Sequence, residues 1–133
     1  MRVVLGLATI VAIFAASAAA EPNTALQERC GKYAADAFAK EYGNGTDDGY
    51  SFNYQAHYNT HLNKCFFLLT STFNEQDNII QSYYLSDLPE DQEYGTFAQS
   101  TKLGVFECNI LDTVCSLGSK SEWDNLIKPY MEE

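Results

Sequence analysis

The spacing of apolar side chains changes several times along the chain, and each change marks an element. Residues 3–14 form a nearly continuous apolar run behind Arg2, and small alanine-rich positions follow it to Ala20. From Leu26 the apolar positions recur every third or fourth residue: Leu26, Cys30, Tyr33, Ala34, Ala37, Phe38 and Tyr42. That stripe predicts a helix over 24–42, capped by Asn23 and stopped by Gly43. At Tyr50 the period falls to two. Tyr50, Phe52, Tyr54, Ala56 and Tyr58 alternate with Ser51, Asn53, Gln55, His57 and Asn59, which predicts a strand with one aromatic and one wet face. A turn is expected over 59–63. Residues 64–73 then read as a strand that is apolar on both faces around Phe66, Phe67, Leu68 and Leu69, and hence central. A polar turn at 74–78 leads to a third strand over 79–85. Residues 88–100 are acidic and read as irregular, with Pro89 and Gly95 as breakers and 94–98 as a short edge strand. Residues 102–111 read as a further strand. Ser119 and Glu122 have the spacing of a capping box before a last helix with Trp123, Leu126, Ile127, Tyr130 and Met131 on one face. Pro129 is expected to bend or shorten that helix.

The sum is an α+β domain: an N-terminal helix packed on a meandering antiparallel sheet of four or five strands, then a C-terminal helix. The cystatin-like arrangement, one helix wrapped by an antiparallel sheet, is the nearest named architecture. Such a likeness of fold carries no function.

The N-terminal pattern reads as a signal peptide over 1–20. It has a positive start, an apolar middle and Ala18 and Ala20 at the −3 and −1 positions of a cleavage before Glu21. An uncleaved anchor is the competing reading, since the apolar run is just long enough to span a bilayer; Glu21 and Pro22 after its alanine-rich half argue against it. Residues 21–133 then form one domain. All four cysteines, Cys30, Cys65, Cys108 and Cys115, fall in that domain, and an even count behind an export signal reads as two disulfides. Three pairings exist. Cys30–Cys65 with Cys108–Cys115 is favoured, because the first ties the helix to the sheet and the second spans a plausible turn. In the chain-entropy model the two closures contribute about 3.8 and about 2.5 kcal/mol. Zinc is the rival use of four cysteines, but no C-x2-C knuckle is present.

The sequence carries 8 basic and 18 acidic residues, a net charge of −10 that becomes −11 once Arg2 leaves with the signal peptide. That balance disfavours nucleic acid and anionic lipid surfaces as partners, and no stable membrane insertion is expected after cleavage. It suits a basic protein partner, a cation, or solubility alone.

The segment 54–65, with His57, Tyr58, Asn59, Leu62, Asn63, Lys64 and Cys65, resembles a Y-x-x-H-Y-N-x-x-L-N-K-C pattern of an uncharacterised family of small exported bacterial proteins. The tail 122–131, from Glu122 and Trp123 to Pro129, Tyr130 and Met131, looks like the ending of the same group. The resemblance implies a bacterial exported domain. It assigns no activity and transfers no catalytic residue.

Several constellations bear on chemistry. His57 and His61 have the i, i+4 spacing of helical metal ligands, but they fall on a strand and in the turn after it, with no third ligand evident. Turn-shaping by Asn59, Asn63 and Lys64 is the simpler reading. Asn44, Thr46, Asp48 and Gly49 loosely match a calcium loop, but Gln55 stands where a bidentate Glu belongs. Asn44 also heads an N-glycosylation sequon. The aromatic alternation Tyr50, Phe52, Tyr54 and Tyr58 suits core packing better than a ligand groove. The acidic stretch 87–93, with Asp87, Glu90, Asp91 and Glu93, suits a solvated loop or a contact for a basic partner. No serine elbow, free thiol or phosphate-cradling glycine loop is present. These readings favour an exported, non-enzymatic binding or accessory protein, periplasmic or secreted, with no cofactor. An inhibitor of a basic extracellular enzyme and a metal or catalytic protein using His57 and His61 are the alternatives.

Overall fold

The structure, a computed structural model, describes residues 22–132; residues 1–20, expected from the sequence to be a signal peptide, lie outside the described residues. Helix α1 (Asn23–Tyr42) leads into seven strands and a closing helix: β1 (Thr46–Asp47), β2 (Tyr50–Asn59), β3 (Lys64–Glu75), β4 (Asn78–Leu88), β5 (Glu93–Ser100), β6 (Gly104–Ile110), β7 (Thr113–Val114) and α2 (Lys120–Met131). All strands pair antiparallel with their chain neighbours, giving one meander in the order β1 to β7. The α+β class is as expected, but the sheet has seven strands rather than four or five.

The hairpin turns explain the meander. Asp48 and Gly49 (φ 42° and 85°) join β1 to β2, and Gln76 and Asp77 (φ 45° and 66°) join β3 to β4. Both are two-residue left-handed turns, whose twist matches that of the flanking strands. The turn expected over 74–78 is thus only two residues wide, and the strands on either side are longer than expected.

The sheet is covered on both faces, each only in part. Cys65, Phe67 and Leu69 of β3 point to the α1 side. Cys65 is bonded to Cys30 of α1, and the Phe67 ring stacks on Tyr54 at 5.4 Å. Phe66 and Leu68 point the other way, into a core with Leu85, Phe97, Ile110, Trp123 and Ile127 beneath α2. This is why β3 is apolar on both faces. It also corrects the expectation that the polar face of β2 is wet throughout: Asn59, at its end, is 1% exposed. Asn59 Nδ2 donates to the carbonyls of Pro129 and Tyr130 at 2.8 and 3.3 Å, satisfying two acceptors that the last turn of α2 leaves open. The helix therefore runs through Pro129 to Met131 instead of stopping short of it.

Three further expectations are corrected. Asn23 is the first residue of α1 and not its cap; Pro22 occupies the cap position without a side-chain bond. Ser119 Oγ does accept from Glu122 N at 3.1 Å, but the Glu122 carboxylate gathers the N–H groups of Ser116, Leu117 and Gly118 instead of completing a box. Residues 93–100 are a central strand, not an irregular stretch with a short edge. Gly95, read as a breaker, is a packing requirement: a Cβ there would lie 2.5 Å from Ile110 Cδ1 and 3.1 Å from the Trp123 ring.

Both disulfides form as expected, Cys30–Cys65 and Cys108–Cys115, with Cα separations of 5.3 and 5.4 Å. They point to an oxidising, non-cytoplasmic compartment. Among the described residues no helix is long and apolar enough to cross a membrane.

Candidate functional site

Helix α1 lies across β2, β3 and β4, and its C-terminal half stands off from β4. The gap is an open cleft of about 600 Å³. Its floor is apolar: Phe67 and Leu69 from β3 and Ala37 from α1, with Leu88 and Pro89 at one end. Its polar groups come from three places. Tyr42 is the last residue of α1, Tyr84 and Ser86 project from β4, and Asp91 hangs from the turn after β4. Strand alternation places Tyr84 and Ser86 together, since they pair with Leu69 and Phe67 on the α1 side of the sheet.

Ser86 is fully buried, and its Oγ has no hydrogen-bond partner in the protein. A buried hydroxyl left unpaired costs about 1–3 kcal/mol, and this one lies beneath the cleft surface and not on it. Burial raises the phenol of Tyr42 above its ordinary value, and the charges of Glu41 and Asp91 push it further in the same direction. Burial likewise raises Tyr84, with Asp91, Glu93 and the neighbouring Tyr42 adding to the effect. Both phenols thus stay neutral and act as donors and acceptors. Lys40, also on the rim, is 82% exposed and lies 3.9 Å from the Glu41 carboxylate.

A buried carboxylate holds the turn that carries Asp91. Asp87 is 0% exposed, ion-paired with Lys64 Nζ, and accepts from Gln92 N at 2.9 Å and from the Tyr94 hydroxyl at 3.5 Å. Its carbonyl takes the Asp91 N–H at 2.8 Å. The acidic stretch 87–93 is therefore two things. Asp87 is an internal anchor, which corrects its reading as part of a solvated loop, while Glu90, Asp91 and Glu93 are exposed.

The other candidates fall elsewhere. His57 lies in β2 opposite Phe66 and borders a shallow groove with Asn23, Thr24, Gln27 and Thr60; His61 is in the exposed turn after β2. Among the described residues no three His, Cys, Asp or Glu side chains gather as a metal site would need. Beside His57, Gln27 blocks the outer edge of β2: its amide accepts from Tyr58 N at 2.8 Å and donates to Ala56 O at 3.5 Å. The segment 44–49, only a loose match to a calcium loop, is a turn and a short strand. Asn44 Oδ1 is taken by Thr46 N and Oγ1 at 3.2 and 2.9 Å, Thr46 and Asp47 are β1, and Asp48–Gly49 is a hairpin turn. Gln55 sits in β2 beside α2, where it shares a groove with Lys128. The aromatic alternation packs against α1, with Phe38–Tyr54 and Tyr42–Phe52 both at 4.7 Å between ring centres.

Sequence reasoning missed the cleft because it missed Ser86 and Tyr84 as a pair. The third strand was expected to end at Leu85, one residue before the alternation reaches Ser86. Tyr42 and Asp91 did carry signals, one as the last member of a helical stripe and one inside an acidic run. No protein-family model, no curated protein and no solved structure matches this chain.

Proposed function

We propose that the chain is an exported, non-enzymatic binding domain, periplasmic or extracellular, and that it seats its ligand in the cleft between α1 and β4. The observation that carries this reading is the cleft itself, with Phe67 and Leu69 on its floor and the Tyr42 and Tyr84 phenols at its sides. An apolar floor with a few convergent polar groups is the usual make-up of a ligand site. The two disulfides and the signal-like N-terminus support export, and the resemblance to small exported bacterial proteins supports a bacterial envelope.

Filling the cleft tests the reading. Ala37 is half-buried on the helix side, so Ala37→Trp places an indole in the opening. In a fragment titration of the mature protein followed by amide chemical shifts, binders should cluster at Tyr84, Ser86 and Asp91 and vanish in Ala37→Trp. Binding that maps elsewhere, or that survives the substitution, contradicts it.

Inhibition of a basic enzyme remains a second reading, favoured by one feature. Asp87 pins the turn that presents Glu90, Asp91 and Glu93 to solvent. It predicts a basic hydrolase partner whose affinity falls as salt rises.

A further inference from the structure

The two disulfides sit in unlike surroundings. Cys30 and Cys65 are 1% and 5% exposed, lie between α1 and the central strand β3, and are 35 residues apart in sequence. Cys108 and Cys115 are 7 residues apart and close the hairpin at the end of the sheet. Cys108 belongs to the core beneath α2. Cys115 is only half-buried, and the residues on either side of it, Thr113, Val114, Ser116 and Leu117, are exposed. β7 is the outermost strand and meets β6 at two positions, with Val114 opposite Asn109 and Thr113 opposite Ile110; Cys115 N then donates to Cys108 O at 3.0 Å. The segment after β7 has its own anchor, since the Glu122 carboxylate accepts from the N–H groups of Ser116, Leu117 and Gly118 at 2.7, 2.7 and 2.9 Å.

We propose that Cys108–Cys115 is an exchangeable disulfide, opened by an incoming thiol while the fold and Cys30–Cys65 persist, so that the β6–β7 hairpin is a redox-responsive element. Exchange needs a thiolate to reach a sulfur, and Cys115 is the less buried partner. The incoming thiolate attacks Cys115 Sγ, the bond to Cys108 breaks, and a mixed disulfide forms on Cys115. Cys108 leaves as a thiolate and takes a proton from water. A second thiolate attacks the mixed disulfide, the reductant departs as its own disulfide, and the Cys115 thiolate is protonated in turn. Two electrons pass from two thiols to the protein. The fold tolerates the reduced form for three reasons. A neutral Cys108 thiol packs in the core as a small hydrophobe. The bond closes a short loop, and opening it frees less chain entropy than opening the long loop closed by Cys30–Cys65. The segment beyond it stays tied to α2 through Glu122, which also keeps the two thiols close enough to reoxidise. Opening Cys30–Cys65 would instead remove the covalent tie between α1 and β3.

The test exposes the mature protein, with both disulfides formed, to rising concentrations of glutathione at neutral pH. Thiols are trapped with N-ethylmaleimide and located by mass mapping. Cys108 and Cys115 should be labelled about ten-fold faster than Cys30 and Cys65, or more. Early glutathione adducts should map to Cys115, and adducts on Cys108 instead would overturn the direction of attack. Amide chemical shifts of the reduced form should move over residues 105–116 and hold through α1 and β2 to β4. A Cys108→Ala, Cys115→Ala protein should fold with Cys30–Cys65 intact, and Cys30→Ala, Cys65→Ala should lower the unfolding midpoint further than it does. Labelling of Cys30 and Cys65 first, or of all four cysteines together as the fold is lost, overturns the proposal. So does a hairpin disulfide that resists glutathione until denaturant unfolds the protein, or a Cys108→Ala, Cys115→Ala protein that does not fold.

Discussion

Asn59 shows how much one side chain can hold. Its amide nitrogen ends α2 by bonding two carbonyls, and its amide oxygen takes the Leu62 N–H at 2.8 Å and shapes the turn after β2. Asn59→Ala leaves those groups unpaired in a buried setting, and about 2 kcal/mol of stability should be lost in denaturant unfolding. A loss under about 0.5 kcal/mol would show that water replaces the amide without cost. Titration gives a second expectation at this scale. Tyr42 and Tyr84 are raised above 10.0 mainly by burial, and Lys64 is raised above 10.5 mainly by its hydrogen bond to Asp87. Each holds its proton more tightly folded than unfolded. Their contribution is therefore whole below those ordinary values and is lost as pH climbs through the folded ones. Stability should fall above about pH 10, and a Tyr42→Phe, Tyr84→Phe protein should fall less steeply. An unchanged alkaline slope in that protein would show that the phenols are not shielded.

At the scale of elements, the docking of α2 hinges on a missing side chain. Gly95 lets the Trp123 ring settle against β5 and Ile110, and Trp123 is completely buried there. Gly95→Ala should cost about 1–3 kcal/mol through overpacking, measured as a drop in the unfolding midpoint. A neutral result would mean that α2 has room to shift. The same residue shows where the sequence was readable and where it was not. Strong periodicity carried α1, β2, β3 and α2, because each buries a stripe or an alternating face long enough to register. β5 reads from the sequence only as a short edge strand over 94–98, because the glycine that makes room for Trp123 looks like a breaker and the need for it is visible only across the sheet. β1 and β7 are two residues each, too short for any period. The Asp48-Gly49 hairpin did carry a turn signal, but the calcium-loop pattern overlapped it. The cleft was the least legible part. Its polar groups come from α1, β4 and the turn before β5, and only the meander's register brings them together.

Across the whole molecule, each helix covers part of one sheet face. The Cys30–Cys65 disulfide fixes α1 to the central strand, while the C-terminal end of the helix carries Tyr42 beside the cleft. Residues 35 apart in sequence are thereby locked at a Cα distance of 5.3 Å, and the same disulfide holds the helix that forms one wall of the cleft. The most direct measurement is a crystal structure of the mature protein soaked with the fragments that bind it in solution. The account predicts them in the α1–β4 cleft, lying on Phe67 and Leu69. A cleft closed by the Tyr42 and Tyr84 rings, with the fragments bound elsewhere, would contradict it.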